Sequence, residues 1–99
     1  NAYIVKEGRV ITRSLSNRIL AGVTRRALFA LAEQHGVEIA ERSFSPDEAY
    51  NADEAFLTSA TNFVLPIVEI DGRRIGGGQP GPVVRKLREL FLQEAASAG

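Results

Sequence analysis

The chain has 99 residues, which is enough for one domain with a modest core. Its twelve basic and twelve acidic residues give a formal net charge of zero without long blocks of one sign, so composition gives no sign of a nucleic acid or an acidic membrane as a partner. There is no cysteine for disulfides, thiolate chemistry or metal binding, and no apolar run approaches the roughly 20 residues that span a bilayer. These features predict a soluble, cytoplasmic protein.

The N-terminal part of the sequence predicts a hairpin followed by a loop. Two runs rich in β-branched and aromatic residues flank a turn at Gly8, which is typical of a β-hairpin over residues 2–13. Residues 14–18 have turn-forming side chains and no hydrophobic period, which indicates a loop.

A helical pattern begins at Val23. Apolar residues recur at the spacing of an α-helix, and Gly36 suits the helix end because glycine readily takes positive φ. Arg25 and Arg26 fall largely off the apolar face; such a pair could meet an anion, but most arginine pairs are solvated, so we expect both on the surface. The alternation that follows predicts a strand over residues 37–42.

The middle of the chain contains a helix start and a polar segment. Ser45, Pro46 and Glu48 supply an N-cap, a proline at the first helical position and a capping-box glutamate, which predict a short helix through about Asn51. Farther on, residues 58–62 are all small or polar. They could offer hydrogen-bond donors at one edge of a sheet, and an ordinary polar connection explains them equally well.

The C-terminal part predicts a strand, a hairpin turn and a helix. An apolar strand over residues 63–70 ends at Asp71-Gly72, a dipeptide that favours a tight turn back through residues 73–75. The Gly- and Pro-rich segment 76–82 then begins a last helix, whose tail from residue 94 is expected to fray. The predicted inner face of this helix consists of Val83, Val84, Leu87, Leu90 and Phe91.

The start of the first long helix is a candidate anion site. The first N–H groups of a helix lack intrahelical partners and carry partial positive charge, so they bind an anion when nothing bulky intervenes. Gly22 would permit close approach, and the Thr24 hydroxyl could add a donor. By themselves the residues favour the plainer interpretation, in which Gly22 relaxes a turn and Thr24 caps the helix.

No metal site is predicted. His35 is the only histidine, and it lies at a predicted helix C-terminus, where a cation is favoured, so we interpret it as structural. One histidine without cysteine makes a zinc site improbable.

The motifs occur in the order and spacing of one family. The segment Leu20-Ala21-Gly22-Val23-Thr24-Arg25 resembles the L-x-G-[IV]-T-R motif of class IV pyridoxal-phosphate aminotransferases. Residues 53–59 are similar to the family's A-D-E-x-F-x-[ST]-[GS] strand, and residues 66–82 resemble its closing pattern. Within the family, Ser16-Asn17 and the Ser59-Ala60-Thr61 loop are more similar to D-amino-acid aminotransferases than to branched-chain ones.

This resemblance implies a set of cofactor contacts. Leu20 would pack against the pyridine ring of pyridoxal 5′-phosphate (PLP), and the Gly22 turn would bring the phosphate to the amides of Val23 and Thr24 and to the Thr24 hydroxyl. Ala60 stands where relatives often have a threonine, so only its amide could contact the phosphate. The residues implied beside the substrate are Ser59 and Thr61.

Two residues that the chemistry needs are absent from the implied site. A lysine must link to the cofactor and move a proton, and a carboxylate must hold the pyridine nitrogen protonated. The only lysines, Lys6 and Lys86, do not match, and the family's lysine and glutamate lie upstream of the position matched by Asn1. We therefore assign no catalytic residue and expect residues 1–99 to be the C-terminal part of the large domain of a longer enzyme.

The resemblance implies an α+β chain with the fold of fold type IV PLP enzymes, a mixed sheet or pseudo-barrel packed by helices. The implied parent is a homodimer that transfers an amino group from a D-amino acid to a 2-oxo acid. Alternatives of the same fold are a branched-chain aminotransferase and a 4-amino-4-deoxychorismate lyase. An alternative from another class is a non-catalytic binding or assembly module.

Overall fold

The computed structural model describes residues 2–13, 23–59 and 63–98, so the predicted loop at 14–18 lies outside the described residues. The described elements, in chain order, are β1 (Ala2–Lys6), β2 (Arg9–Thr12), α1 (Val23–Gln34), β3 (Ile39–Glu41), α2 (Pro46–Tyr50), β4 (Glu54–Ser59), β5 (Phe63–Ile67), β6 (Glu69–Ile70), β7 (Arg73–Arg74) and α3 (Pro82–Ala98). One turn of 3-10 helix, Gly76–Gly78, precedes α3. The predicted α+β class is confirmed.

Five strands form a mixed sheet in the order β3-β2-β1-β4-β5. The predicted hairpin of β1 and β2 is confirmed, and β1 is central because it pairs antiparallel with β2 on one side and with β4 on the other. Strand β3 runs parallel to β2, and β5 runs antiparallel to β4. Among the described residues the sheet is open, with β3 and β5 at its edges, so the pseudo-barrel stays a prediction.

Helices α1 and α3 cover one face of the sheet. The apolar stripes predicted for both helices face inward, because Leu28 and Leu31 of α1 and Leu87 and Phe91 of α3 are buried against the strands. The buried residues of this first core are Tyr3, Val5, Val10, Leu28, Leu31, Ala32, Phe56, Val64, Val84, Leu87 and Phe91.

A smaller core lies on the opposite face of the sheet. Helix α2 and the segment after β7 cover it, so the five-stranded sheet has buried apolar side chains on both faces. The buried residues of this second core are Ile4, Ile11, Ala49, Ala52, Ala55 and Ile75.

The capping box predicted at α2 is confirmed. The Ser45 hydroxyl accepts a hydrogen bond from the Glu48 amide at 3.2 Å, and the Glu48 carboxylate accepts one from the Ser45 amide, also at 3.2 Å. Pro46 stands at the first helical position. The Asp71-Gly72 turn is also confirmed, with positive φ at both residues (49° and 78°) between the paired strands β6 and β7.

Two predicted boundaries were wrong. The strand expected over 37–42 has only three residues, Ile39–Glu41, which pair with residues 10–12 of β2. The strand expected over 63–70 breaks at Val68, whose carbonyl accepts a hydrogen bond from Ile75 as the chain leaves β5 for a separate two-stranded sheet. Helix α3 extends to Ala98, and the fraying expected from residue 94 stays a prediction.

Candidate functional site

The first turn of α1 has the electrostatic character of an anion site. The helix begins at Val23 and has no acidic residue in its first turn, where acidic residues usually offset the partial positive charge of the helix end. Arg25 and Arg26 are in this turn instead. Two cations at the end of a helix that already carries positive charge favour an anion beside it.

Arg25 is buried, which corrects the expectation that it lies on the solvated surface. Only 4% of its surface is exposed, while Arg26 is exposed as predicted. Helical side chains lean toward the helix N-terminus, and Arg25, three residues into α1, leans over the sheet rather than into solvent. Its guanidinium lies 4.9 Å from the centre of the Phe29 ring and 5.7 Å from that of Tyr3.

The Arg25 guanidinium is held chiefly by neutral oxygen atoms of the first two strands and the residue that follows them. Its Nη1 donates to the Thr12 hydroxyl at 3.1 Å and to the Tyr3 hydroxyl at 3.5 Å, and its Nη2 donates to the Arg13 carbonyl at 3.0 Å. It also forms an ion pair with Glu41, at 3.7 Å, and that carboxylate side chain is 48% exposed. The buried positive charge is therefore only weakly offset by the described residues.

Tyr3 links this network to the end of β4. Its hydroxyl lies 3.2 Å from the Thr58 hydroxyl, and its ring stacks on Phe56 with centroids 4.6 Å apart. Thr58 is followed by Ser59, the last residue of β4. Arg25 and Thr58 therefore connect the first turn of α1 to the strand that leads into the polar segment 58–62.

The network thus runs from Arg25, the residue after Thr24, to Thr58, the residue before Ser59. Val23 and Thr24 are the first two residues of α1, and their contacts with the cofactor phosphate stay a prediction. Ser59 ends β4. Four of the predicted contact residues lie outside the described residues: Leu20, Gly22, Ala60 and Thr61.

The network around Arg25 was missed by sequence reasoning. A lone arginine off the apolar stripe is ordinarily solvated, so helical periodicity indicates nothing unusual at this position. The available signal was the pair of arginines in a first turn without an acidic residue.

The N-terminus of α3 is not a second anion site, because it already has a carboxylate. Glu54 is only 6% exposed, and its oxygens accept hydrogen bonds from the amides of Val84 at 2.8 Å and Val83 at 3.2 Å. The Gly- and Pro-rich segment 76–82 therefore begins the last helix against a side chain from the sheet.

Neither lysine belongs to the network. Lys6 is exposed and lies 3.6 Å from an Asp53 carboxylate oxygen, and Lys86 donates to the His35 carbonyl at 3.5 Å on the surface.

Across residues 2–13, 23–59 and 63–98, no cluster of His, Cys, Asp and Glu is arranged to hold a metal ion. In the same ranges, the helices are too short or too polar to cross a membrane.

A family model described as amino-transferase class IV matches residues 1–70. The chain is 44% identical over 93% of its length to a probable branched-chain-amino-acid aminotransferase of Aquifex aeolicus, and 39% identical over 97% to a D-alanine aminotransferase of Bacillus licheniformis. It covers 30% and 35% of those proteins. The chain therefore spans about a third of the length of the relatives it matches.

The fold agrees with this match. A crystal structure of the branched-chain amino acid aminotransferase from Thermobaculum terrenum, in its PLP form, superimposes with a TM-score of 0.84 at 36% identity. The superposition covers 94% of this chain and 31% of the other.

Proposed function

Because the chain belongs to the class IV aminotransferases, we propose that it forms part of an enzyme that transfers an amino group between an amino acid and a 2-oxo acid. Class IV aminotransferases use PLP. The observation that carries the proposal is the family match over residues 1–70, together with an α1 terminus suited to an anion.

The described residues fit the phosphate of PLP. In the proposal, the amides of Val23 and Thr24, the first two residues of the twelve-residue helix α1, donate to phosphate oxygens, because the first N–H groups of a helix lack intrahelical partners. The absence of acidic side chains from this turn and the nearby Arg25 charge favour a dianion further. In the proposal, Gly22 permits the approach, Leu20 packs on the ring and the Ala60 amide contributes a further donor.

The bound cofactor withdraws electrons from the carbon that carries the amino group. In the proposal, the residues of this chain bind and orient: the start of α1 fixes the phosphate, while Ser59 and Thr61 orient the substrate. The proton-transferring lysine and the carboxylate at the pyridine nitrogen are proposed to come from other parts of the enzyme. Lys6 and Lys86 make surface contacts instead.

Two substrate classes have support. We propose D-amino acids on the resemblance of Ser16-Asn17 and Ser59-Ala60-Thr61 to D-amino-acid aminotransferases. Branched-chain L-amino acids are the second candidate, because the relative that is 44% identical carries that name, against 39% for the D-alanine enzyme.

Amino-group transfer from D-alanine and from L-leucine to 2-oxoglutarate tests the substrate class in the full-length protein loaded with PLP. We expect turnover of D-alanine, and turnover of L-leucine alone would favour the second candidate. Borohydride reduction followed by intact-mass analysis provides the control for cofactor attachment. A protein that gains no pyridoxyl mass and turns over neither substrate would be a non-catalytic binding module.

We also propose that the full-length enzyme is a homodimer, as the family resemblance implies. Light scattering after size-exclusion chromatography should give twice the polypeptide mass. A monomeric mass at micromolar concentration would contradict the proposal.

A further inference from the structure

We propose that Arg25 is a positioning residue for phosphate binding, which holds the first turn of α1 against the sheet and keeps a buried positive charge behind it. This inference rests on the proposed function. Arg25 acts through the α1 terminus and not through contact with the reacting atoms.

The location of Arg25 is energetically costly. A cation near a helix N-terminus is opposed by the partial charge of the helix, and burial removes the water that would otherwise screen it. Arg25 has both disadvantages at 4% exposure. Such a group persists where its hydrogen bonds are complete and an opposite charge is supplied.

The partners of the Arg25 guanidinium are arranged so that they join α1 to the sheet. Three hydrogen bonds of 3.0 to 3.5 Å lead from the guanidinium to Thr12, Arg13 and Tyr3, and two aromatic rings pack beside it. The N–H groups of the guanidinium thus join α1 to both strands of the β1–β2 hairpin. Together with the packing of Leu28 and Leu31, these contacts hold the first turn of α1 against the hairpin.

Tyr3 extends the contacts of Arg25 across the sheet to β4. The Tyr3 hydroxyl accepts from Arg25 and lies 3.2 Å from the Thr58 hydroxyl on β4. The same network therefore positions the helix start and the strand that enters segment 58–62. A phosphate at the start of α1 would add negative charge to that of Glu41, whose half-exposed carboxylate forms an ion pair with Arg25 at 3.7 Å.

The test compares affinities for PLP and for pyridoxal, which lacks the phosphate, in the full-length protein. The ratio of the two dissociation constants isolates the phosphate contribution, which a general loss of folding would not change selectively. We expect Arg25→Gln to reduce the preference for PLP about tenfold or more, as loss of a charged hydrogen-bonding group does. The control is Arg88→Gln, at an exposed arginine of α3, which should leave the preference within about twofold.

Tyr3→Phe keeps the inference testable if Arg25→Gln does not fold. It retains the ring that stacks on Phe56 and removes only the hydroxyl that joins Arg25 to Thr58. We expect it to reduce the preference for PLP about threefold, which corresponds to loss of a neutral hydrogen bond.

The possible results distinguish a failure of the Arg25 positioning role from a failure of the proposed function. An unchanged preference in Tyr3→Phe, or an equal loss of PLP and pyridoxal affinity in Arg25→Gln, would overturn the positioning role while leaving the enzyme assignment intact. A wild-type protein that binds neither compound would overturn the proposed function, and the positioning role with it.

Discussion

Asp53 and Glu54 are neighbours in the sequence and stabilise two different parts of the fold. The Asp53 carboxylate accepts a hydrogen bond from the Glu7 amide at 2.8 Å, in the turn between β1 and β2. The Glu54 carboxylate caps α3. The acidic pair Asp53-Glu54, which resembles part of the family motif, thus has a structural role. Asp53 stabilises the turn between β1 and β2, and Glu54 caps α3.

Replacement of Glu54 by glutamine tests the cap. Glutamine has one acceptor oxygen and an amide that would face an N–H group of Val83 or Val84, so one buried donor loses its partner. We expect the free energy of unfolding to fall by about 1–3 kcal/mol, measured by urea denaturation. Glu69→Gln, at an exposed carboxylate, should change it by less than about 0.5 kcal/mol.

Gly76 and Gly77 provide a second test at the residue scale, because both have positive φ (56° and 83°) but different surroundings. A Cβ at Gly76 would overlap the Asp53 carbonyl, whereas a Cβ at Gly77 meets nothing within 4 Å. We expect Gly77→Ala to cost about 1–2 kcal/mol of stability through backbone strain alone, and Gly76→Ala to cost more. Equal thermal shifts for the two variants would contradict the steric explanation.

At the scale of elements, α2 shows how a local signal is reinforced by its surroundings. The capping box of Ser45 and Glu48 lies within the helix itself. Arg42, before the helix, then adds an ion pair to Glu48 at 2.9 Å. The same carboxylate therefore receives hydrogen bonds from a side chain and from the backbone.

These contacts predict that the Glu48 carboxyl ionises at a lower pH than usual. The Arg42 hydrogen bond, followed by that of the Ser45 amide, lowers the pKa of Glu48 from its ordinary value. A lowered pKa in the folded state means that the contribution to stability is complete above the ordinary pKa and is lost as the pH falls through the lowered value. Arg42→Gln should raise the pKa toward its ordinary value in an NMR titration of the carboxyl carbon. Arg9→Gln, which breaks the ion pair with Glu38 instead, should leave it unchanged.

At the scale of the whole molecule, the central strands belong to two cores. Strand β1 contributes Tyr3 and Val5 to the core under α1 and α3, and Ile4 to the core under α2. Because the same backbone supports both faces, loss of packing on either face weakens the shared sheet. We therefore expect the described parts of the chain to unfold as one cooperative unit.

Cavity-forming substitutions on the two faces test this coupling. Leu87 is fully buried on one face and Ile75 is 1% exposed on the other. We expect Leu87→Ala and Ile75→Ala each to lower stability by about 2–5 kcal/mol, with a single transition by circular dichroism in both variants. The control Leu92→Ala, at a side chain that is 54% exposed, should change stability by less than about 0.5 kcal/mol. Two resolved transitions in either core variant would contradict the coupling.

The sequence by itself determined the elements whose signals are local. The capping box at Ser45, the positive-φ turn at Asp71-Gly72 and the apolar stripes of α1 and α3 each act within a few residues, so they were predictable without the fold. The ordered motifs likewise predicted the family that residues 1–70 match.

Only the tertiary structure decided the burial of Arg25, the cap that Glu54 provides and the break in the strand at Val68. Each depends on contacts that form only when separate segments pack together: Arg25 with Thr12 and Tyr3, Glu54 with the start of α3, and Val68 with Ile75. A solvated arginine and a buried one have the same local pattern. A buried arginine needs oxygen atoms on the neighbouring strands to accept its hydrogen bonds. Those oxygen atoms surround the side chain only after the helix has packed on the sheet.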